Sequence, residues 1–153
     1  MYKRILVPVD GSDTANKALQ TALQLAKDAG GCVRLVHVIE ELAYVSGYAQ
    51  FGVYSEELLK AIRETGSKVL QDAMTVAQIA GVEADNMLFD NFGGRLAEII
   101  TDAANEWKAD LIVVGTHGRR GVGRLLLGSG AEQIIRLAPV PVLVIRSGKN
   151  GAK

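Results

Sequence analysis

Five short apolar runs alternate along the chain with segments of helical periodicity, and this alternation most constrains the fold. The runs are residues 4–9, 32–39, 87–89, 111–114 and 142–145. Strands that alternate with helices form a parallel sheet whose two faces are both covered by helices. We therefore predict an α/β fold: an open, doubly wound, five-stranded parallel sheet with helices on both faces.

Four segments between these runs carry apolar residues at the spacing of a helix with one buried face. Serine or aspartate precedes two of them, as is typical of helix starts, and glycine follows two of them, as is typical of helix ends. Gly66 falls inside the second segment, where a glycine costs about 1 kcal/mol relative to alanine. The predicted helices run from Ser12 or Asp13 to Gly30, from Ser55 to Gly81, from Gly93–Gly94 to Trp107, and onward from Gly128–Ser129.

The carboxyl ends of the strands are the predicted ligand-binding edge. Open α/β sheets bind ligands there, at the point where the winding direction reverses. The relevant strand ends in this chain are Val9–Asp10, Val38–Ile39 and Val114–Gly115. We expect these three places to lie close together although they are far apart in sequence.

The segment after the fourth run has the composition of a phosphate-binding loop. Between Gly115 and Gly128 it contains three arginines, three further glycines and no acidic residue. Gly115 would let a ligand approach the backbone, and Gly118 would allow a sharp turn. Gly128 and Ser129 would present backbone N–H groups and a hydroxyl at a helix N-terminus, where the helix dipole favours an anion. The alternative is an ordinary glycine-rich connection.

These residues carry a resemblance to the universal stress protein family over nearly the whole chain. The segments ILVPVDGS, LVHVI and PVPVLV are similar to recurring segments of that family. More specific is the spacing Gly115-x2-Gly118-x9-Gly128-Ser129, which matches the G-x2-G-x9-G-[ST] pattern of the family's ATP-binding branch. The resemblance implies a Rossmann-like fold of the adenine nucleotide alpha hydrolase-like type. We expect one domain over residues 1–147 and a flexible tail over residues 148–153.

The resemblance also implies a site for an adenine nucleotide. It implies adenine contacts from the Val38 backbone, ribose or metal contacts from Asp10, and ribose and phosphate contacts from the glycine motif. Gly130 departs from the family, which usually has a larger residue such as valine there. The expected ligand is ATP, with AMP or ADP as alternatives, and Mg²⁺ would be carried by the nucleotide. The predicted contact residues are Pro8, Val9, Asp10, Val38, Val114, Gly115, Gly118, Arg119, Gly128, Ser129, Gly130 and Ala131.

Nothing else in the sequence forms a catalytic or metal-binding motif. Two histidines and one cysteine are too few for a protein-built metal site, and His37 is predicted to be a core histidine. There is no G-x4-G-K-[ST] segment of the Walker type. Residues 10–13, DGSD, also differ from the SGG-x-DS loop of the related ATP pyrophosphatases. We therefore predict no catalytic residues and at most weak ATP hydrolysis.

The charge balance and the length of the apolar stretches limit the kinds of partner that we expect for this protein. Lysine plus arginine equal aspartate plus glutamate at 17 each, which argues against binding to nucleic acid or anionic membranes. No stretch approaches the roughly 20 apolar residues of a membrane span. The single Cys32 cannot form an internal disulfide, which fits a reducing compartment, and we expect a cytoplasmic protein.

Two further segments suggest interactions. The apolar run Val142–Ile145 is predicted to be a sheet edge, and pairing with its own copy would give a homodimer. Residues 40–54 are rich in aromatic side chains and could form a lid, a surface for an unknown protein partner or a mobile connection. The favoured function is an ATP-binding regulatory domain in the stress response that acts through nucleotide-dependent conformation, dimerisation or partner binding. The alternatives are a slow ATP hydrolase and an interaction module without nucleotide.

Overall fold

The computed structural model describes residues 1–40, 55–90, 94–116 and 127–146. Strands and helices alternate throughout these ranges, so the predicted α/β class is confirmed. The strands are β1 (Arg4–Pro8), β2 (Cys32–Val38), β3 (Glu83–Phe89), β4 (Leu111–Gly115) and β5 (Val142–Ile145). The helices are α1 (Asp13–Ala29), α2 (Glu56–Ala80), α3 (Leu96–Trp107) and α4 (Ser129–Leu137).

The five strands form one sheet in the order β3-β2-β1-β4-β5, and all neighbouring pairs are parallel. From β1 the chain winds to β3 in one direction, and β4 and β5 lie on the other side. The winding therefore reverses between β1 and β4, which is where such sheets bind ligands. β5 lies at an edge of the sheet, as the sequence predicted.

The core consists of two apolar layers, one on each face of the sheet. Ile5 and Val7 of β1 face α1 and α2, whereas Leu6 between them faces α3 and α4. Successive strand residues point to opposite faces, so a strand covered on both sides must be apolar at every position. This requirement explains the apolar runs of β1 and β4, whereas β2 also contains Arg34 and His37, whose polar groups are hydrogen-bonded.

Local hydrogen bonds set the ends of α1 and α2. The hydroxyl oxygens of Ser12 and Ser55 accept hydrogen bonds from the backbone N–H groups of Ala15 and Leu58. Gly30 and Gly81 follow the two helices with φ of 64° and 70°, a conformation that strongly favours glycine. The predicted starts and stops of both helices are therefore confirmed, with Ser12 rather than Asp13 as the cap.

β3 is longer than the sequence predicted. It begins at Glu83, whereas the apolar run begins only at Met87. Three of the four additional residues are polar, because β3 is an edge strand whose first half is largely exposed. One of them, Asp85, receives two hydrogen bonds of 2.7 Å from the Arg34 guanidinium of β2. An edge strand held by an ion pair has no apolar signature, so the periodicity missed it.

Gly66 lies buried within the continuous helix α2. A Cβ at this position would lie 3.0 Å from both His37 Cδ2 and Leu88 Cδ1. The glycine therefore lets α2 approach β2 and β3 closely. This packing offsets the low helix propensity of glycine, which the sequence alone presents only as a weakness.

A cluster of charged groups surrounds Trp107 at the amino edge of the sheet. The guanidinium carbons of Arg4 and Arg34 lie 4.4 and 4.8 Å from the centre of the indole ring. Arg4 also donates to the Trp107 carbonyl oxygen, and the Asp110 carboxylate accepts from the Lys3 and Arg4 backbone N–H groups. These contacts join the end of α3 to the starts of β1 and β2.

Several predictions concern residues outside the described ranges. They include most of the aromatic segment 40–54, Gly93, the loop residues 117–126 and the tail 148–153. Within the described ranges, no helix combines the length and apolar character needed to cross a bilayer.

Candidate functional site

The carboxyl ends of β2, β1 and β4 lie side by side at one edge of the sheet. The Val9 N–H donates to the Val36 carbonyl oxygen at 2.8 Å, which continues the pairing of β1 with β2 beyond Pro8. β1 pairs with β4 on its other side. The predicted meeting of Val9–Asp10, Val38 and Gly115 at the reversal point is therefore confirmed.

Asp10 follows β1 in a tight turn at the centre of this edge. Its Oδ1 accepts a hydrogen bond of 2.9 Å from the Ser12 N–H, and Gly11 between them has φ of 80°. Ser12 in turn caps α1. The half-buried Asp10 carboxylate is thereby oriented by backbone geometry at the N-terminus of α1, where the helix dipole stabilises a negative charge.

Gly115 packs against the first turn of α1. A Cβ at Gly115 would lie 2.8 Å from the carbonyl carbon, Cβ and Oγ1 of Thr14, a buried residue that the sequence did not single out. From the sequence alone, we predict that Gly115 allows a ligand to approach the backbone. The structure gives another reason that applies without any ligand: only a residue lacking Cβ fits between β4 and α1.

Thr116 joins the two ends of the glycine-rich loop. Its N–H donates to the Ile145 carbonyl oxygen of β5 at 2.9 Å, and its carbonyl oxygen accepts from the Gly128 N–H at 2.7 Å. Thr116 is buried, and the only sequence signal for it was its place inside the glycine motif. Because of the second bond, the start of α4 lies next to the end of β4.

The first turn of α4 has no side-chain cap. Gly128 occupies the capping position with φ of −59° and ψ of 150°, and it makes no side-chain capping bond. Ser129 is the first helical residue and is exposed, whereas Ala131 is buried. The first-turn N–H groups of an uncapped helix are suited to bind an anion.

Gly130 lies beside α3. A Cβ at Gly130 would lie 3.1 Å from Leu96 Cδ2, at the start of α3. The side chain missing at residue 130 therefore has a close neighbour that fills its place. Leu96 is a second residue that the sequence did not single out.

His37 has the expected role of a core histidine. It is 8% exposed, and its Nδ1 lies 2.7 Å from the Val9 carbonyl oxygen. A carbonyl oxygen can only accept, so Nδ1 carries the proton in this bond. His37 thus ties β2 to the end of β1, one residue before Asp10.

The remaining predicted contact residues divide by location. Pro8 and Val9 end β1, and the buried Val114 precedes Gly115 in β4. Gly118 and Arg119 lie outside the described residues, as do His117, Arg120 and Arg124. In the described part of the chain no three His, Cys, Asp or Glu side chains are grouped as they would be to hold a metal ion.

A separate groove of about 430 Å³ lies between α1 and α2, on the other side of the sheet from α4. Its lining includes Val9 and Gly11, the residues on either side of Asp10, so one end of the groove lies next to the Asp10 turn. Its floor is apolar, and Lys68 and Asp72 form an exposed ion pair on its rim. Of the predicted contact residues that the structure describes, only Val9 lines it, so the groove is distinct from the carboxyl-edge site as far as it is described.

Comparison with known proteins identifies the relatives of this chain. The family model described as "Universal stress protein family" matches residues 1–146. Universal stress protein MJ0531 of Methanocaldococcus jannaschii is 35% identical over 150 residues, covering 98% of this chain and 85% of the relative. A universal stress protein of Thermus aquaticus, encoded in the QAH/OAS sulfhydrylase 3′ region, is 40% identical over 146 residues, covering 95% and 100%.

Solved structures show the same fold and, in two cases, a bound nucleotide. Hypothetical protein MJ0577 superposes with a TM-score of 0.80 at 28% identity and 99% coverage of both chains. The universal stress protein of Archaeoglobus fulgidus in complex with dAMP superposes at 0.69, with 27% identity and 94% and 98% coverage. A universal stress protein in complex with cAMP superposes at 0.64, with 25% identity and 95% and 97% coverage. The matches in sequence and fold together show that this chain belongs to the universal stress protein family.

Proposed function

We propose that this protein is an adenine nucleotide-binding regulatory domain, with ATP as its ligand, acting in the cytoplasmic stress response. Nucleotide binding would change the conformation, dimerisation or partner binding of the domain. Family membership and the nucleotide complexes of two structural neighbours support the ligand class. Mg²⁺ would arrive with the phosphates, because Asp10 is the one carboxylate in the predicted contact set.

The observation that carries the proposal is the proximity of two different kinds of group at the reversal point. Asp10 and the Val38 backbone provide hydrogen-bonding groups suited to a nucleoside. The uncapped first turn of α4 provides N–H donors suited to phosphate, and the bond between Gly128 and Thr116 holds this turn next to β4.

Substitutions at Ser129 test the phosphate side. Proline at the first helical position removes the N–H and the hydroxyl and is well tolerated there, and Gly128 already has the extended conformation that a following proline requires. Alanine removes only the hydroxyl. In calorimetry with ATP and Mg²⁺, we expect S129P to weaken binding by roughly 10- to 100-fold, and S129A to weaken it less.

Adenosine serves as the control ligand, because it lacks the phosphates that α4 would contact. S129P should leave adenosine affinity unchanged. If the unsubstituted protein releases no nucleotide on denaturation and gives no binding heat with ATP, the proposed function is wrong.

The main rival is slow ATP hydrolysis at the same site. We propose turnover near background, because the sequence offers no obvious base to orient water. Steady-state phosphate release well above the blank, abolished by Asp10→Ala, would favour the hydrolase instead.

We further propose a homodimer formed through β5. This strand ends the sheet, and an unpaired apolar edge strand readily pairs with another chain. A twofold axis beside β5 would extend the sheet across two copies. A protein partner would then recognise either the dimer or the nucleotide-bound conformation.

A further inference from the structure

Besides the buried Ala131, two contacts with residues distant in sequence support the first turn of α4. On one side, the Gly128 N–H bonds to the Thr116 carbonyl oxygen at 2.7 Å. On the other side, Leu96 Cδ2 occupies the space next to Gly130, 3.1 Å from where a Cβ would be. Ordinary carbon contacts begin at about 3.5 Å, so the leucine methyl group takes up space that a side chain at residue 130 would need.

The position of Leu96 is fixed by its own packing. Leu96 is the first residue of α3 and is half-buried against the apolar layer that includes Ala97, Ala131 and Ile134. The same layer anchors α4 through Ala131, the residue after Gly130. The contact therefore connects the starts of two helices that share one core.

This contact matters because glycine supplies no packing of its own. A glycine in a helix has more conformational freedom than any other residue, and Gly130 belongs to the turn whose N–H groups would receive phosphate. The direction of those N–H groups then depends on what the turn rests against. The hydrogen bond from Gly128 fixes the turn only at its first residue.

We infer that Leu96 is a positioning residue for the phosphate-binding turn, and this inference rests on the proposed function. By filling the space beside Gly130, Leu96 holds the N–H groups of Gly130 and Ala131 in the direction of the ligand phosphates. It thereby sets the affinity for phosphate-bearing nucleotides relative to the nucleoside, without touching the ligand itself.

The test compares ATP and adenosine binding in the full chain by calorimetry. Leu96→Ala should weaken ATP binding by roughly 3- to 10-fold, the loss expected for weakened hydrogen bonds, and leave adenosine binding within about twofold. Leu96→Met, which conserves volume, should retain ATP affinity. Leu137→Ala is the matched control: it shortens the same residue type at the far, exposed end of α4 and should leave both affinities unchanged.

A second substitution checks the geometry. Gly130→Ala should restore part of the ATP affinity in the Leu96→Ala background, because the new methyl group fills the space that the leucine left. If Leu96→Ala does not fold, Leu96→Val replaces it in the same comparison. Equal weakening of ATP and adenosine, or no change in either, would overturn the inference. Failure of the unsubstituted protein to bind adenine nucleotides would instead overturn the proposed function.

Discussion

At the scale of single residues, two glycines of the predicted contact set, Gly115 and Gly130, have different physical roles. A Cβ at Gly115 would lie 2.8 Å from backbone and side-chain atoms of Thr14, whereas a Cβ at Gly130 would lie 3.1 Å from the tip of the Leu96 side chain. The tip of a side chain can rotate away, but the first turn of a helix cannot move without disturbing the core. Gly115 is therefore required by the fold itself, independently of any ligand.

The two glycines can be compared directly by substitution with alanine. Without nucleotide, Gly115→Ala should lower the free energy of unfolding by about 1–3 kcal/mol, the usual cost of overpacking. Gly130→Ala should cost less than 1 kcal/mol, because Leu96 can adjust and alanine favours the helix. Urea denaturation followed by circular dichroism measures both. If Gly115→Ala is fully stable but no longer binds nucleotide, then Gly115 is required for the approach of the ligand and not for packing against Thr14.

At the scale of elements, polar and aromatic contacts at the amino edge of the sheet add to the backbone cap that ends α3, in which the Lys108 N–H bonds to the carbonyl oxygens of Ala104 and Asn105. α3 ends at Trp107, and Lys108 follows with a positive φ of 55° without being glycine. The two guanidinium groups on the indole ring and the bonds from Arg4 to the Trp107 carbonyl oxygen compensate for this irregular end. The stability of the protein should therefore depend on the aromatic ring of Trp107 and not only on its apolar volume.

Substitutions at Trp107 distinguish the contribution of the aromatic ring to stability from the contribution of its apolar volume. Phenylalanine keeps an aromatic face for Arg4 and Arg34, whereas leucine keeps only apolar bulk. At an exposed site each cation–π contact contributes about 0.5–1 kcal/mol, so W107L should be about 1–2 kcal/mol less stable than W107F. Chemical denaturation followed by circular dichroism is the measurement, since the protein has one tryptophan and both variants remove it. Equal stabilities would show that the arginines contribute nothing through the ring.

At the scale of the whole molecule, the orientation of β5 decides how a second copy could pair. The carbonyl oxygens of Pro141 and Ile145 accept bonds from the N–H groups of Ile112 and Thr116. Strand peptide groups alternate in direction, so the peptide groups of Val142 and Val144 face away from β4. The free edge thus lies at these two residues.

This alternation gives a specific test of the proposed dimer. Val144→Pro removes an outward N–H, which an edge strand tolerates, whereas Val144→Ala shortens the side chain and keeps the N–H. We expect the protein and V144A to sediment as dimers at micromolar concentration, and V144P to sediment as a monomer. A monomeric mass for the unsubstituted protein would rule out the proposed homodimer under these conditions.

The sequence by itself determined the α/β class, the central strands and the ends of α1 and α2. These features depend on local chemistry: β1 and β4 must be apolar on both faces, Ser12 and Ser55 bond to their own helices, and Gly30 adopts a positive φ. The same local signals indicated which strand ends would carry the candidate site. They failed at β3, because an edge strand is exposed and needs no apolar pattern.

Only the tertiary structure decided which residues support that site. The contacts of Thr14 with Gly115, of Thr116 with Ile145 and Gly128, and of Leu96 with Gly130 join elements that are distant in sequence. The glycines stand out in the sequence, but Thr14 and Leu96 have no distinctive local pattern, and Thr116 has none beyond its place inside the glycine motif. Their roles arise from the sheet order β3-β2-β1-β4-β5, which brings the first turns of α1 and α4 to the same edge of the sheet. Because protein interiors are closely packed, the size of each neighbouring side chain there affects the position of these turns.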